Sequence, residues 1–184
     1  MKLTHEIVRG WSRHAGGVRR YHEWPTVQTQ TNAEHSWNVM RIYHEIFEKE
    51  ETSGFSGKLL VYLMYHDCGE IGVGDLPYPI KKNNPALKLE MERLEEASRI
   101  AQGIVLPELS AWETMVAKLC DMIEMFEFGL EEVRRGNSYG QPVCDVTKEH
   151  IVGIIHKATD PRLHHEDAQN VRIYLRRVTG EYWT

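Results

Sequence analysis

The chain has 184 residues, of which 41% are hydrophobic and 27% are charged, a composition typical of one globular domain rather than of a disordered or fibrous protein. We therefore expect a single domain over residues 1–184. The net charge of −5 argues against stable nucleic-acid binding, which requires a basic face to displace counterions. The longest apolar run, residues 59–65, is too short to cross a bilayer, so we expect no membrane partner.

Cysteine usage and the N-terminus indicate the compartment. The three cysteines form no Cys-x-x-Cys pair and are odd in number, which argues against a disulfide framework or a zinc knuckle. Residues 1–6 contain no apolar segment of the kind that secretory signals carry. We predict a reducing, cytoplasmic location.

Apolar residues recur at helical spacing along most of the chain. The predicted helices cover residues 6–13, 33–50, 57–69, 85–102, 109–135, 147–158 and 166–178. Thr31 or Asn32 is the expected N-cap of the second helix. The glycines and prolines of residues 72–79 predict a loop. Because alternating β-branched runs are absent, the predicted fold class is all-α, a single compact helical bundle.

Several polar side chains stand in apolar surroundings. His66 and Asp67 directly follow the apolar run, Asp121 interrupts a second apolar stretch, and His35 lies near the start of the second predicted helix. An ionised carboxylate in an apolar interior is strongly unfavourable unless it is paired or binds a cation. Two imidazoles and two carboxylates from three helices are therefore a candidate site for a divalent transition metal.

Spacing alone leaves other interpretations open. A His-Asp dipeptide occurs often by chance, and a buried aspartate can cap a helix or pair with an arginine. Ligands drawn from three helices also follow no compact spacing rule such as His-Glu-x-x-His.

Four motifs carry a resemblance to a known family. They are Glu34-His35-Ser36, Tyr65-His66-Asp67-x-x-Glu70 with the distant Asp121, Gly74-Asp75-Leu76-Pro77-x-Pro79-x-Lys81, and the upstream segment Val18-Arg19-Arg20-Tyr21-His22-Glu23-Trp24, which corresponds to an arginine-aromatic pair of that family. Together they resemble the HD-domain metal phosphohydrolases, and the third motif is similar to that of the 5′-deoxynucleotidases and the phage dATP triphosphohydrolases. The latter empty the host dATP pool so that 2-aminoadenine replaces adenine in phage DNA. The likeness covers about residues 18–136.

The resemblance implies a role for each matching residue. The implied metal ligands, for Zn, Co or Mn, are His35, His66, Asp67 and Asp121. The implied catalytic residues, which orient or deprotonate the attacking water, are Glu70 and Asp75. The implied substrate-binding residues are Arg20, Tyr21, Trp24 and Lys81, with Arg19 and Lys82 as competitors for the two cationic roles.

Tyr21 departs from the family pattern. Relatives usually carry a tryptophan here, which packs on the sugar and excludes a ribose 2′-hydroxyl. A tyrosine ring can fill similar space, but strict selection of deoxyribose is no longer implied.

The resemblance implies a metal-dependent hydrolase of deoxynucleotides. We expect dATP as the main substrate, with dADP and dAMP also hydrolysed, giving deoxyadenosine plus triphosphate or phosphate, in the host cytoplasm if the chain is phage-encoded. Alternatives are a broad-specificity 5′-deoxynucleotidase acting on monophosphates, an HD hydrolase of cyclic nucleotides or guanosine alarmones, and a non-enzymatic sensor or interaction module with a vestigial metal site. Family members assemble through helices, so a homo-oligomer, either a dimer or a hexamer, is also expected.

Overall fold

The computed structural model describes residues 11–22, 24–47, 56–76, 78–156, 165–181 and 183. Its α-helices are α1 (Trp11–Ala15), α2 (Asn32–Phe47), α3 (Gly57–Tyr65), α4 (Tyr78–Asn83), α5 (Pro85–Ala101), α6 (Ala111–Arg134), α7 (Gly140–His156) and α8 (His165–Thr179). A 3₁₀ turn, Cys68–Gly72, follows α3. The strands β1 (Arg19–Arg20) and β2 (Gln30–Thr31) form a short antiparallel ribbon. The all-α prediction is confirmed.

The third predicted helix ends earlier than the sequence suggested. It stops at Tyr65 rather than at residue 69, and the chain tightens into the 3₁₀ turn. Gly69 explains the change, because a Cβ atom there would lie 2.4 Å from the backbone oxygen of Glu95 on α5. The close approach of the turn to α5 therefore determines the backbone conformation after α3, and the residues of the turn point into the interior.

Two other predicted boundaries were also wrong. The loop of residues 72–79 ends where α4 begins at Tyr78, since a proline is tolerated in the first turn of a helix. The helix predicted to start at residue 147 begins at Gly140 and has Pro142 in its first turn. A Cβ atom at Gly140 would lie 2.5 Å from the backbone oxygen of Gly129, so this glycine lets α7 pack closely on α6. The first predicted helix lies partly outside the described residues, as do residues 48–50 and 157–158 of two others.

Helix starts are fixed by side-chain caps. At α2, Thr31 Oγ1 accepts from the backbone of Glu34 at 3.3 Å, and Glu34 Oε2 accepts from the backbone of Thr31 at 2.7 Å. Glu113 joins two other starts. It completes a capping box with Ser110 at α6 and accepts from the hydroxyl of Ser56, the N-cap of α3, at 2.6 Å. The starts of α3 and α6 are therefore held side by side.

The core lies between α2, α3, α6, α7 and α8. The fully enclosed side chains include Ile42, Leu59, Leu119, Ile151 and Leu175, one from each of these helices. Burying such a side chain contributes about 1.5–3 kcal/mol relative to leaving it in water. In the part of the chain that the structure describes, no helix is long and apolar enough to cross a membrane.

Candidate active site

Two histidines and two aspartates converge from α2, the end of α3 and α6. His35, His66 and Asp121 each offer a ligand atom, and these atoms all lie within 4.8 Å of one another. His35 Nε2 lies 3.3 Å from His66 Nε2 and 3.4 Å from Asp121 Oδ1. Asp67 Oδ2 lies 3.5 Å from His35 Nε2 and 3.4 Å from His66 Nε2. The four residues form one cluster, here called the His/Asp cluster.

The partners of the outer ring nitrogens orient both imidazoles. Nδ1 of His35 bonds Glu124 Oε2 at 2.6 Å, and Nδ1 of His66 bonds the backbone oxygen of Leu63 at 2.8 Å. Carboxylates and carbonyls only accept, so both Nδ1 atoms carry the hydrogen. In neutral rings the two Nε2 lone pairs would then face each other. A cation between them, either a proton or a metal ion, removes that repulsion.

The electrostatics of the cluster also favour bound positive charge. Although burial opposes protonation of His35, Glu124 and Asp121 raise its pKa to about 9. Burial likewise opposes ionisation of Asp67, yet the neighbouring His66, Arg20 and His35 lower its pKa to about 2. The aspartates therefore stay ionised beside two imidazoles, which is the donor set of a divalent transition-metal site.

Glu70 lies buried beside the cluster. Its Oε2 accepts from Asn32 Nδ2 at 2.8 Å, and its backbone nitrogen donates to the backbone oxygen of Asp67 at 3.1 Å. Burial and the charge of Asp67 raise the pKa of Glu70 to about 8. A carboxyl group with such a pKa exchanges a proton near neutral pH, as a general acid or base must.

Arg20 reaches the cluster from β1. Its Nη1 lies 2.5 Å from Asp67 Oδ2, and only 9% of its side chain is exposed. Its buried Nε has no hydrogen-bond partner among the described residues. Arg19, the competing candidate, is exposed. Of the two arginines, Arg20 is therefore the one that contacts the cluster.

The cluster opens into a cavity of about 790 Å³. Among the residues that line it are most of the predicted site residues: Arg20, Tyr21, Trp24, Asp67, Glu70, Asp75, Lys81 and Asp121. The Nζ atom of Lys81 lies 3.6 Å from Glu95 Oε1 on α5. The side chain of Lys82 lies outside the described residues. Four apolar side chains also line the cavity, Met122 and Met125 from α6 and Val143 and Val146 from α7.

The segment that carries Tyr21 and Trp24 is anchored on α6. Tyr21 has a φ of 53°, and its ring stacks on Phe128 with centroids 4.3 Å apart and planes 2° from parallel. The backbone nitrogen of Trp24 donates to the oxygen of Tyr21 at 2.9 Å. Farther along, the carboxylate of Glu132 accepts from the backbone nitrogens of Val27 and Gln28 at 2.7 and 3.0 Å. Both side chains are thereby held at the cavity wall.

Sequence reasoning missed the residues that support the cluster. Glu124 holds His35 and also accepts from Gln30 Nε2 at 2.6 Å. Its position three residues after Asp121, on the same helical face, is the signal that could have identified it. Asn32 was considered only as a helix cap, and no local pattern connects it with Glu70.

Comparisons with known proteins identify a family. The family model described as 5′-deoxynucleotidase YfbR-like matches residues 15–111. The chain is 30% identical to a 5′-deoxynucleotidase of Photorhabdus temperata, over 68% of this chain and 74% of that protein. It is 28% identical to a 5′-deoxynucleotidase of Vibrio vulnificus, over 67% and 75% of the two chains.

A solved structure shares the fold. It is the cyanophage S-2L HD phosphohydrolase DatZ bound to dA and one catalytic Zn²⁺ ion, with a TM-score of 0.70 and 19% identity over 98% of this chain and 100% of that one. The family model and the Photorhabdus relative decide the family. The chain belongs to the YfbR-like 5′-deoxynucleotidases and is a phosphohydrolase.

Proposed function

We propose that this chain hydrolyses 2′-deoxynucleotides with a divalent transition metal, with dATP as the main substrate and dADP and dAMP as further ones. The observation that carries the proposal is the pair of imidazoles whose Nε2 atoms face each other at 3.3 Å beside two aspartates. The residues that hold the ion, Zn, Co or Mn, are His35, His66, Asp67 and Asp121.

The donor set fits such an ion. Both imidazoles are locked through Nδ1, one by a carboxylate and one by a backbone carbonyl, which is how metal-binding histidines are commonly oriented. When bound, the ion supplies Lewis acidity to a phosphoryl oxygen and lowers the pKa of water.

Two neighbouring acids transfer the protons of the reaction. Water attacks phosphorus, the bond between phosphorus and O5′ breaks, and the leaving O5′ takes up a proton. Glu70 and Asp75 line the cavity beside the cluster, and they accept the proton of the attacking water and return one to O5′. The same bond breaks in a monophosphate and in a triphosphate attacked at the α-phosphorus, so one set of residues serves both.

The cationic side chains bind the phosphates. Arg20 lines the cavity beside Asp67, and its guanidinium donates to a phosphate oxygen, since a planar guanidinium binds phosphate well. Lys81 lines the same cavity, and its ammonium group is paired with Glu95. When the substrate binds, this ammonium group leaves Glu95 and pairs with a phosphate. Trp24 and Tyr21 line the cavity where the nucleoside lies.

The preference for dATP rests on the short chain and on the resemblance of the run Arg19-Arg20-Tyr21-His22-x-Trp24-Pro25 to the phage triphosphohydrolases. The chain would then deplete dATP for a phage with 2-aminoadenine DNA. The apolar side chains of α6 and α7 that line the cavity support adenine, because guanine carries more polar edge groups that they leave unpaired. The second candidate is a broad-specificity 5′-deoxynucleotidase acting on monophosphates, which the names of the curated relatives favour.

A substrate panel tests the proposal. Purified protein with Mn²⁺, Co²⁺ or Zn²⁺ is given dATP, dADP, dAMP, dGMP, dCMP and ATP, and the products are separated by chromatography. Deoxyadenosine and triphosphate from dATP, abolished by chelation, support it. Turnover of monophosphates alone at similar rates supports the second candidate. Comparable rates on ATP and dATP would remove the claim of sugar selectivity, and inactivity with every ion would refute both functions.

A further inference from the structure

The loop of residues 21–29, which joins β1 to β2, forms part of the cavity wall. Its side chains Tyr21 and Trp24 line the cavity. Inside the loop, the backbone nitrogen of Trp24 donates to the oxygen of Tyr21 at 2.9 Å, and that of Thr26 donates to the oxygen of Trp24 at 2.8 Å. The short turns of common hairpins set their own geometry, but a loop of this length needs contacts with the rest of the protein to fix its position.

A carboxylate on α6 supplies such contacts. The Oε2 atom of Glu132 accepts from the backbone nitrogen of Val27 at 2.7 Å, and its Oε1 atom accepts from that of Gln28 at 3.0 Å. Asn137, in the turn after α6, donates its Nδ2 to Glu132 Oε2 at 2.5 Å and to the backbone oxygen of Pro25 at 2.8 Å. Glu132 and Asn137, here called the loop clasp, therefore hold the loop by its backbone.

The clasp depends on the charge of Glu132, which is only 1% exposed. Although burial opposes its ionisation, hydrogen bonds from Val27, Asn137 and Gln28 lower the pKa of Glu132, so the carboxylate is ionised at neutral pH. Hydrogen bonds to an ionised acceptor are stronger than those between neutral groups, and successive backbone N–H groups are a common site for an anion. One buried side chain therefore fixes the far side of the loop.

The clasp and the cavity wall meet at Trp24. Trp24, Glu132 and Asn137 all line a small second space of about 10 Å³ between the loop and the helices. A space of this size holds about one water molecule at most, so the loop lies directly against the clasp. Trp24 also lines the large cavity, whereas Glu132 and Asn137 are not among the described residues that line it. A displacement of the loop at the clasp would therefore move the indole ring in the cavity.

We propose that Glu132 and Asn137 are positioning residues, which hold Trp24 at the cavity wall and thereby set the affinity for the deoxynucleotide. This inference rests on the proposed function for the identity of the ligand. A wall that is already ordered loses little conformational freedom when the ligand binds. Because the clasp contacts the loop and not the His/Asp cluster, it acts on binding and leaves the rate of the bound complex unchanged.

Three variants of nearly unchanged volume test the clasp. Glu132→Gln turns an amide N–H₂ group toward a donor, and Asn137→Asp keeps the oxygen that accepts from Tyr139 but places an acceptor against two others. The control is Glu131→Gln, since Glu131 is exposed and bonds only a side chain of the loop among its described contacts with it. For the best hydrolysed deoxynucleotide, we expect KM to rise about tenfold in the first two variants with kcat within about twofold. The control keeps the wild-type values.

A second background shows whether the effect passes through the indole ring. In Trp24→Ala, adding Glu132→Gln should change KM by less than about twofold, because the group that the clasp positions is already absent. A further tenfold rise in that background would overturn the inference. So would a fall in kcat at unchanged KM in Glu132→Gln, which is the result of a merely structural role that lowers the active fraction.

The position of Trp24 is also measurable without hydrolysis. In metal-loaded protein labelled with 5-fluorotryptophan, the ¹⁹F resonance of Trp24 is assigned with Trp24→Phe. We expect Glu132→Gln to shift or broaden this resonance and to leave that of Trp112, whose indole donates to Asp167, in place as evidence of an intact fold. Deoxyadenosine should move the Trp24 resonance, with about tenfold weaker binding in Glu132→Gln.

These readouts separate the inference from the proposed function. If no nucleotide is hydrolysed but the resonance and the deoxyadenosine affinity change as expected, the proposed function fails and the inference stands. If hydrolysis occurs and the Trp24 resonance is the same in the wild type and Glu132→Gln, the inference alone fails. Absence of both hydrolysis and deoxyadenosine binding overturns both.

Discussion

The floor of the site, which comprises the His/Asp cluster with Glu70, Glu124 and Gln30 behind the cavity, and the rim of the cavity hold their polar groups in different ways. On the floor His35 is fully enclosed, and the carboxylate of Glu124 bridges it to Gln30. At the rim Lys88 and Lys118 are more than half exposed; among the described residues Lys88 pairs with Glu92 and Lys118 with Asp121, each within its own helix. Hydrogen bonds in an enclosed, low-dielectric site are stronger than those in water, whereas exposed ion pairs contribute about 0–1 kcal/mol. The enclosed contacts therefore hold His35 in one orientation, and the rim can adjust to the substrate.

The largest effect, on turnover, is expected from Glu70, the acid of the floor that acts on protons and does not bind the metal. Glu70→Gln keeps the hydrogen bond to Asn32 but removes the exchangeable proton. We expect turnover to fall about 10²- to 10⁴-fold with metal content unchanged. Steady-state kinetics and metal analysis of the same preparation measure both quantities.

Glu90→Gln is the matched control for Glu70, because Glu90 is exposed on α5 and pairs with Arg93 in its own helix. It should keep normal turnover. Normal turnover in Glu70→Gln itself would show that the acid-base assignment is wrong.

A smaller effect, on metal affinity, is expected from Glu124, which supports the metal ligand His35 without binding the metal itself. Glu124→Gln removes the carboxylate that orients His35 and strengthens it as a ligand. We expect metal affinity to fall about 10- to 100-fold, as for other partners of metal-binding histidines. Competition with a chromophoric chelator measures it.

The control for Glu124 lies three residues later on the same helix. Glu127 binds Arg41 and Tyr174, away from the cavity lining, so Glu127→Gln should change stability and leave metal affinity as it is. Equal metal affinities in the two variants would contradict the supporting role of Glu124.

The smallest effect is expected from a buried carboxylate outside the cavity. Although burial opposes its ionisation, hydrogen bonds from Ser56, Lys58 and Ser110 lower the pKa of Glu113 to about 2. A carboxyl with a lowered folded pKa stabilises the protein above its unfolded value, near 4.5, and this stabilisation is lost as the pH falls toward 2. Glu113→Gln should therefore lower the free energy of unfolding by about 1–2 kcal/mol at pH 7, with little change in activity.

Urea unfolding at pH 7 and at pH 3 measures this dependence, and the difference from the wild type should shrink at the lower pH. Glu131→Gln is the control, because Glu131 is exposed and pairs with Arg135. A difference that is independent of pH would mean that ionisation of Glu113 does not stabilise the two helix starts.

The sequence predicted the helical class and the members of the His/Asp cluster for a clear physical reason. Asp67 and Asp121 are charged residues beside apolar runs, and such residues need a buried partner. The end of α3 at Tyr65 could not be predicted, since it depends on the approach of Gly69 to Glu95, which belongs to another helix. The left-handed backbone of Tyr21 was equally hidden, because the stack on Phe128 joins residues more than a hundred positions apart.

Anomalous diffraction from crystals grown with Mn²⁺ shows directly whether the His/Asp cluster binds a metal ion. We expect one strong peak within bonding distance of Nε2 of His35, Nε2 of His66 and a carboxylate oxygen of Asp121, with Asp67 completing the set. A peak elsewhere, or none at this position at saturating Mn²⁺, would contradict a metal site in the cluster.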